Sequence, residues 1–426
     1  MAFELLAVGD IHLGRTPQGL PAGFEPERFS PRAAWQAAVE EALRRKVDAV
    51  ALLGDVVDHD RNFLEAYSPL RQGVEKLLAA GIQVVAIVGN HDVEVLPRLA
   101  REISGLRLLG AGGAWEALEL RGRAGGTLRL VGWSFPRPRV TEDPVASLPA
   151  ALRGRANLPT LGLVHGELDA SASYHAPLRR TLLAACGFDG WLLGHVHQPT
   201  LDSSKDSIGY LGSLVGLDAG EQGRRGPWSV RVEANGAIRF EHLPLARIRW
   251  EALELALDAD SAPEQVESQL VRLFEAAAKA PARQWGDAEL VAVRLAVRGR
   301  SSRRREIVQR LRELEQGTPV STGSLTFFLE KLEDRTQPEL ELESLAKQHH
   351  AAGGVARRLL ALQDPASPER SALLRKARQR EETLRSNPSF VLPEFQPCDD
   401  ETLVRELTEQ GFQLLERLVQ GEGSDA

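Results

Sequence analysis

Cysteine is nearly missing from this chain, and its scarcity excludes two architectures. Cys186 and Cys398 are the only two among 426 residues, far apart and without a CxxC neighbour. Neither a disulfide framework nor a thiolate zinc site is implied. Long apolar runs are missing too: none approaches the ~18 residues that would span a bilayer, and the opening MAFELLAVGD has no basic stretch before its apolar one. The expectation is a cytoplasmic protein with no membrane segment. No GxxxxGK(S/T) loop occurs, so any use of ATP would come from a partner, and no internal repeat is visible. Basic residues are in deficit, 52 Lys+Arg against 59 Asp+Glu, for a net charge of −7. That argues mildly against a chain held on nucleic acid by bulk charge, although metal ions or a local arginine patch would offset it.

What is present is an ordinary globular balance, 43% hydrophobic and 26% charged, at a length that suggests two or three domains. Phe3 to Val8 reads as a buried strand ending at Gly9-Asp10. Ser30-Pro31 is a helix start, with serine as N-cap and proline in the first turn. A strand from Asp48 to Leu53 ends at Gly54-Asp55. A helix near 64–80 precedes a strand from Ile82 to Val88, which runs into Gly89-Asn90-His91-Asp92. Two later strands repeat the pattern: Leu161–Val164 meets His165, and Trp191–Leu193 meets Gly194-His195-Val196-His197. Asn235-Gly236, bracketed by alternating residues, predicts a hairpin with a type I′ turn. Strands whose ends converge on one edge suit a layered α/β sandwich over residues 1–245.

From 250 to 335 the order reads β-α-β-α-β with no metal-type cluster, which suggests a separate accessory α+β domain. Residues 336–426 read as helical and charged. A segment spaced by Pro388, Pro393 and Pro397 precedes a final helix from about Glu401 to Val419, with Leu403, Leu407, Gly411, Leu414, Leu415 and Leu418 on one side.

Five short motifs carry the chemistry: Asp10-Ile11-His12, Gly54-Asp55, Gly89-Asn90-His91-Asp92, His165 and Gly194-His195-Val196-His197. Imidazole with carboxylate oxygen suits Mn²⁺, Fe²⁺ or Zn²⁺. Residues two apart on a strand point the same way, so Asp10/His12 and His195/His197 could each offer two ligands to one place. The Asp55 carboxylate could bridge two ions at the ~3.5–4 Å used for in-line phosphoryl displacement. Any one motif alone is more often a loop cap than a ligand pair. Five in order, each at a strand end, are hard to explain structurally.

The set GDIH, GDVVD, GNHD, VHG and GHVH resembles the calcineurin-like metallophosphoesterases. The resemblance covers roughly residues 1–245 and implies a four-layer αββα sandwich of two mixed β-sheets flanked by helices. It implies two divalent ions, Mn²⁺ by preference with Fe²⁺, Zn²⁺ or Mg²⁺ as alternatives. Asp10, His12, Asp55 and His197 would surround one ion, and Asp55, Asn90, His165 and His195 the other. A metal-activated hydroxide would attack phosphorus, and His91, paired with Asp92, would stabilise the transition state or protonate the leaving oxygen.

The arginine that the phosphoprotein phosphatases carry in this motif is replaced by His59 in Gly54-Asp55-Val56-Val57-Asp58-His59. The opening GDIHLG and the length look instead like the DNA-repair exonuclease branch, the SbcD- and YhaO-like nuclease subunits. Tyr210-Leu211-Gly212-Ser213 followed by Gly223-Arg224-Arg225-Gly226 also resembles them, and the accessory unit sits where they carry a capping domain. Asp58 stands where some of that branch have a histidine, and His59 reads as a polar loop residue. In that branch the partners are DNA and an SMC-like ATPase that takes the terminal helices; a homodimer is also compatible. Arg298, Arg300, Arg303, Arg304 and Arg305 are candidate DNA-backbone contacts, or else a solvated helix start. The terminal leucine face is either a docking surface or packs on its own protein. Two rivals stand beside a DNA exonuclease: a phosphodiesterase for cyclic nucleotides or nucleotide-sugars, and a non-catalytic scaffold on the same fold.

Overall fold

A computed structural model describes all residues except 1, 18, 155–156, 171–172, 203–206, 316, 318, 338–339, 386–397 and 423–426. The proline-spaced segment at 388, 393 and 397 lies outside the described residues. By compactness the chain divides into two units. One comprises Met1–Ala252, Phe274–Arg294 and Glu315–Lys331; the other comprises Leu253–Leu273, Leu295–Leu314 and Leu332–Ala426.

The first unit opens with alternating strands and helices: β1 (Phe3–Val8), α1 (Pro31–Arg45), β2 (Ala49–Leu53), α2 (Phe63–Ala79), β3 (Gln83–Ile87), α3 (Val95–Glu102) and β4 (Leu106–Leu108). It continues through β5 (Glu116–Arg121), β6 (Thr127–Gly132), β7 (Thr160–His165), β8 (Glu167–Leu168), β9 (Pro177–Leu178), α4 (Arg180–Ala185), β10 (Gly190–Gly194), β11 (Ile208–Tyr210), β12 (Trp228–Val232) and β13 (Ile238–His242). Local signals explain several boundaries. The Ser30 hydroxyl accepts from Ala33 N–H at 3.2 Å, with Pro31 at the first helical position, as an N-cap requires. The Trp35 indole donates to Pro69 O at 3.1 Å and ties α1 to α2. That approach needs Gly73, because a Cβ there would lie 2.4 Å from the indole nitrogen.

Two sheets result, in orders β13-β12-β1-β2-β3-β4 and β11-β10-β7-β6-β5. Strands β1 to β4 are mutually parallel, as are β6, β7, β10 and β11. Alternation along each strand sorts side chains into layers. Leu5, Leu53, Val85 and Ile87 join Leu128, Leu130, Leu161, Leu163 and Leu192 in one buried cluster between the sheets. Their neighbours Leu6, Val8, Leu52, Val84, Val131, Val164 and Leu193 belong to a second cluster with Trp35, Leu70 and Leu183 of the helices. A chain with both faces of both sheets covered is a four-layer αββα sandwich, the expected fold class. The parallel strands deliver their loops at their C-terminal ends, where ligands of such sheets bind.

The hairpin at Asn235-Gly236 forms, but not with a type I′ turn. Gly236 has φ 83° while Asn235 is not left-handed, and Glu233 N–H donates to Ala237 O at 2.8 Å. The loop is therefore longer, with glycine alone supplying the left-handed residue.

Beyond β13 come β14 (Ile248–Leu257), α5 (Val266–Lys279), β15 (Leu290–Arg300), α6 (Arg304–Arg312), β16 (Val320–Thr322) and β17 (Leu325–Gln337), the strands ordered β14-β15-β17-β16. The stretch expected as one accessory domain, 250–335, is shared between the two units, since β14, β15 and β17 each run from one into the other. The second unit ends in α7 (Leu342–Ala346), α8 (Ala351–Gln363), α9 (Pro368–Arg385) and α10 (Asp400–Glu422). Its core joins Ala352, Ala356 and Leu359 of α8 to Phe412 and Leu415 of α10. Among the described residues no helix is long and apolar enough to cross a membrane.

Candidate metal centre

All seven expected ligands lie in the first unit, six in loops and His165 at the end of β7, and the reason the loops converge is not the expected one. Strand β1 stops at Val8 and β10 at Gly194, so neither Asp10/His12 nor His195/His197 is a same-face pair on a strand. The loops turn instead through left-handed residues: φ is 58° at His12, 47° at Asp55 and 102° at His195. Non-glycine residues held there are strained, and such strain clusters at functional sites. Backbone bonds fix the turns. Ile11 and His12 N–H both donate to Asp55 O at 3.0 and 2.9 Å, and Leu214 N–H donates to Asp10 O at 3.1 Å. Gly89 is required here, because a Cβ would fall 2.1 Å from Asp55 Oδ1.

The side chains gather into adjoining sets. Donor atoms of Asp10, His12 and His197 lie within 4.8 Å of one another, as do those of Asp55, His165 and His195, and of His12, Asp58 and His91. His12 Nε2 and His197 Nε2 are 3.0 Å apart. His165 Nε2 stands 3.1 Å from Asn90 Oδ1 and 3.3 Å from Asp55 Oδ2. Asp55 thus stands with the second set; its bridging role rests on the resemblance.

Three of the four expected ligand histidines have their remote nitrogen held by an acceptor. His12 Nδ1 meets Asp58 Oδ1 at 3.1 Å, His165 Nδ1 meets Leu53 O at 2.9 Å, and His197 Nδ1 meets Glu221 Oε1 at 2.8 Å. This is the arrangement that fixes the tautomer and turns Nε2 toward a metal. Asp58 therefore has a task here, as an orienting carboxylate. Glu221, buried and also accepting from Ser213 Oγ at 2.7 Å, was not legible in the sequence: it belongs to no motif and follows His197 by 24 residues. His175 was missed as well; its ring lies 4.9 Å from that of His195.

One expected pairing is corrected. Asp92 does not hold His91. It is fully buried, and its carboxylate accepts from Gly89 N–H and Val56 N–H, both at 2.8 Å, and from Val57 N–H at 3.4 Å. It clamps the second and third motif loops together, so its role is structural. His91 is held by Asp58 O, 2.8 Å from its Nδ1, which leaves Nε2 for a substrate.

The electrostatics suit a cation. Burial pushes the Asp10 carboxyl up against the pull of His165 and His197. Burial acts likewise on Asp55, but His165, His12 and His91 prevail and hold it well below the usual carboxylate range. Burial alone would lower His165; Asp55 and Asp10 outweigh it and raise the imidazole to about 9. His195 is pushed down to about 3, by burial and then by His165. Asp92 is pushed up to about 7 by burial and by Asp55. A charge is thus balanced between His165 and Asp55, where a divalent ion can replace the proton. Asp10 Oδ2 gives a more direct test of fit. It is buried with no hydrogen-bond partner, a costly state for a carboxylate oxygen that a bound cation would relieve. Nitrogen and oxygen donors in these numbers fit two divalent ions of the Mn²⁺, Fe²⁺ or Zn²⁺ kind.

The candidate DNA arginines all belong to the second unit, where each is already engaged by a neighbouring side chain. Arg298 pairs with Glu254 at 3.0 Å and Arg303 with Glu264 and Glu306 at 2.9 Å. Arg304 pairs with Glu416, Arg305 meets the same carboxylate at 3.2 Å, and Arg300 lies over Phe412 and donates to Gln337. Of the terminal leucine face, Leu403 and Leu415 are buried, and Leu415 packs in the core with α8. Leu407 and Leu414 instead line an apolar cleft of about 250 Å³ with Leu359, Leu362 and Leu373.

A family model described as Calcineurin-like phosphoesterase matches residues 3–199, a span that holds all five motifs. The chain is 25% identical over 276 residues to the uncharacterized metallophosphoesterase YhaO of Bacillus subtilis, covering 58% of this chain and 62% of that protein. It is 29% identical over 286 residues to the DNA double-strand break repair protein Mre11 of Haloferax volcanii, 62% and 58% of the two chains. To the Mre11 of Aeropyrum pernix it is 36% identical over 89 residues, 21% of each. The chain thus spans less than two thirds of the length of these relatives.

Proposed function

We propose, from the match of residues 3–199 to the calcineurin-like phosphoesterase family model, that the protein is a metal-dependent phosphodiesterase that cuts the backbone of DNA as an exonuclease. The observation that carries the hydrolytic part is the convergence of Asp10, His12 and His197 beside Asp55, His165 and His195. Two divalent ions held there, Mn²⁺ in this proposal, would supply Lewis acidity at phosphorus and lower the pKa of an attacking water. The chain's own residues do the rest. Asp58, Glu221 and the Leu53 carbonyl orient the imidazoles. His91, partly exposed and held through Nδ1 by Asp58 O, presents Nε2 to the leaving oxygen as hydrogen-bond donor or general acid.

DNA as substrate is supported by the likeness to two proteins named for double-strand break repair. A partner of the SMC-like ATPase kind is supported by the cleft at Leu407 and Leu414, the latter half exposed. Direct DNA contact by Arg298, Arg300, Arg303, Arg304 and Arg305 is supported by their charge alone, and Arg298, Arg303, Arg304 and Arg305 each stand beside a carboxylate that DNA phosphate would compete with. The competing reading, a small-molecule phosphodiesterase, shares every metal motif. Turnover of linear DNA, a cyclic nucleotide and a generic diester by one Mn²⁺-loaded preparation separates them. Faster hydrolysis of the cyclic nucleotide than of DNA would replace the nuclease reading.

A further inference from the structure

The second unit holds a cleft of about 500 Å³ whose wall is unusually rich in one side chain. Arg298, Arg304, Arg305, Arg335, Arg405 and Arg417 all line it. Asp334, Glu409 and Glu416 share the wall with them, and Arg298 also meets Glu254, at 3.0 Å and outside the lining. Arginine keeps its proton at any ordinary pH, so the guanidiniums of this wall stay charged donors.

Local pairing consumes part of the set and leaves the rest. Glu416 is shared by Arg304 and Arg305. Asp334 stands 3.8 Å from Arg304. Arg335 pairs with the half-buried Glu333 and Arg405 reaches the exposed Glu406 at 3.7 Å. Arg417 lines the cleft with no acidic partner among the described residues. Arg304, whose side chain is 11% exposed, has a buried Nε that meets no acceptor. A buried donor without an acceptor is costly, and an anion seated against Arg304 would supply one once the guanidinium turns toward it.

The ligand class follows from charge, donors and size. Guanidinium forks bind phosphate oxygens in bidentate fashion. Thr336, Thr408, Gln337 and Gln413 add neutral hydrogen-bonding groups to the same wall. The volume lies within the range of small-molecule sites and is too small to enclose a double helix. Phe412 lines the cleft as well, under the Arg300 guanidinium at 5.8 Å. We propose that this cleft binds a compact oligophosphate of two or three phosphates, free or carried by a nucleoside. The site is separate from the metal residues and does not rest on the catalytic reading.

The test uses the full chain in EDTA, so that phosphate cannot be held by metal at the other site. Isothermal titration with tripolyphosphate should give saturable binding of one ligand per chain that weakens with added salt. The double variant Arg405→Ala/Arg417→Ala changes two exposed residues and should keep the wild-type melting temperature while losing at least tenfold in affinity. Arg417→Glu alone should weaken binding further than Arg417→Ala. ATP binding more tightly than tripolyphosphate would identify the nucleoside-borne form, and equal affinities the free form. Absence of binding by both ligands would overturn the proposal, as would unchanged affinity in the double variant. Binding of a single-stranded oligonucleotide, lost in that variant while tripolyphosphate does not bind, would overturn it in favour of a nucleic-acid surface.

Discussion

His197 donates its Nδ1–H to Glu221 Oε1 at 2.8 Å, and this bond decides which ring nitrogen faces Asp10 and His12. The same carboxylate accepts from Ser213 Oγ and Leu217 N–H, so its own position is over-determined. Partners of this kind are worth roughly 10–100-fold in metal affinity. Glu221→Gln should weaken Mn²⁺ binding toward the low end of that range and Glu221→Ala toward the high end, read by calorimetric titration of the metal-free protein. Unchanged affinity in both variants would remove Glu221 from the account.

Two adjacent residues should separate cleanly. Asp92→Ala leaves buried N–H groups of Gly89 and Val56 without an acceptor, and should cost about 3 kcal/mol or more in urea unfolding. His91→Ala should leave stability and metal affinity near wild type while turnover falls roughly 10²–10⁴-fold, the scale of general acid catalysis. A stable Asp92→Ala protein that has lost only turnover would restore Asp92 to the chemistry.

The metal-free protein should lose stability as pH rises. His165 is raised from 6.5 to about 9 in the folded state, so its contribution is complete below about pH 6.5 and lost as pH climbs through 9. Asp92, raised to about 7, acts in the same direction at lower pH. Melting temperatures in EDTA should therefore fall between pH 7 and 9.5, and His165→Asn should flatten the upper part of that fall. Mn²⁺ affinity should rise through the same window, because the ion displaces a proton. Metal-free stability that increases over this range would contradict the assignment of charge to His165.

Gly89→Ala probes the close approach of the second and third motifs. The added Cβ would lie 2.1 Å from Asp55 Oδ1, so the carboxylate must move and the second ligand set must open. Metal affinity should fall by roughly 10–100-fold, with a smaller change for Gly354→Ala, where the new methyl meets nothing nearer than Arg357 Nη2 at 3.9 Å. Equal metal affinity in the two variants would show that the Asp55 position is not critical.

Much of the sandwich was readable because its strands are buried on both faces and stop at polar clusters. Phe3–Val8 and Ala49–Leu53 show this plainly. The β5–β6 hairpin was missed, since Glu116–Arg121 mixes charge with half-buried apolar residues and offers no clean period. The ligand residues were legible as motifs, yet their convergence comes from left-handed loop residues that no alternation rule foresees. Glu221 and His175 were invisible because orienting contacts depend on the folded path rather than on spacing. For the terminal helix the period identified an apolar side, but packing on α8 takes Leu415 and leaves Leu414 half exposed.

The central claim is tested most directly by incubating the purified full chain with end-labelled linear DNA, with and without Mn²⁺, beside His91→Ala. The account predicts progressive shortening from an end that requires Mn²⁺ and disappears in the variant, while the variant still binds the metal. Intact DNA in every lane, alongside brisk Mn²⁺-dependent hydrolysis of a generic phosphodiester, would contradict the nuclease assignment for this chain and leave a small-molecule phosphodiesterase in its place.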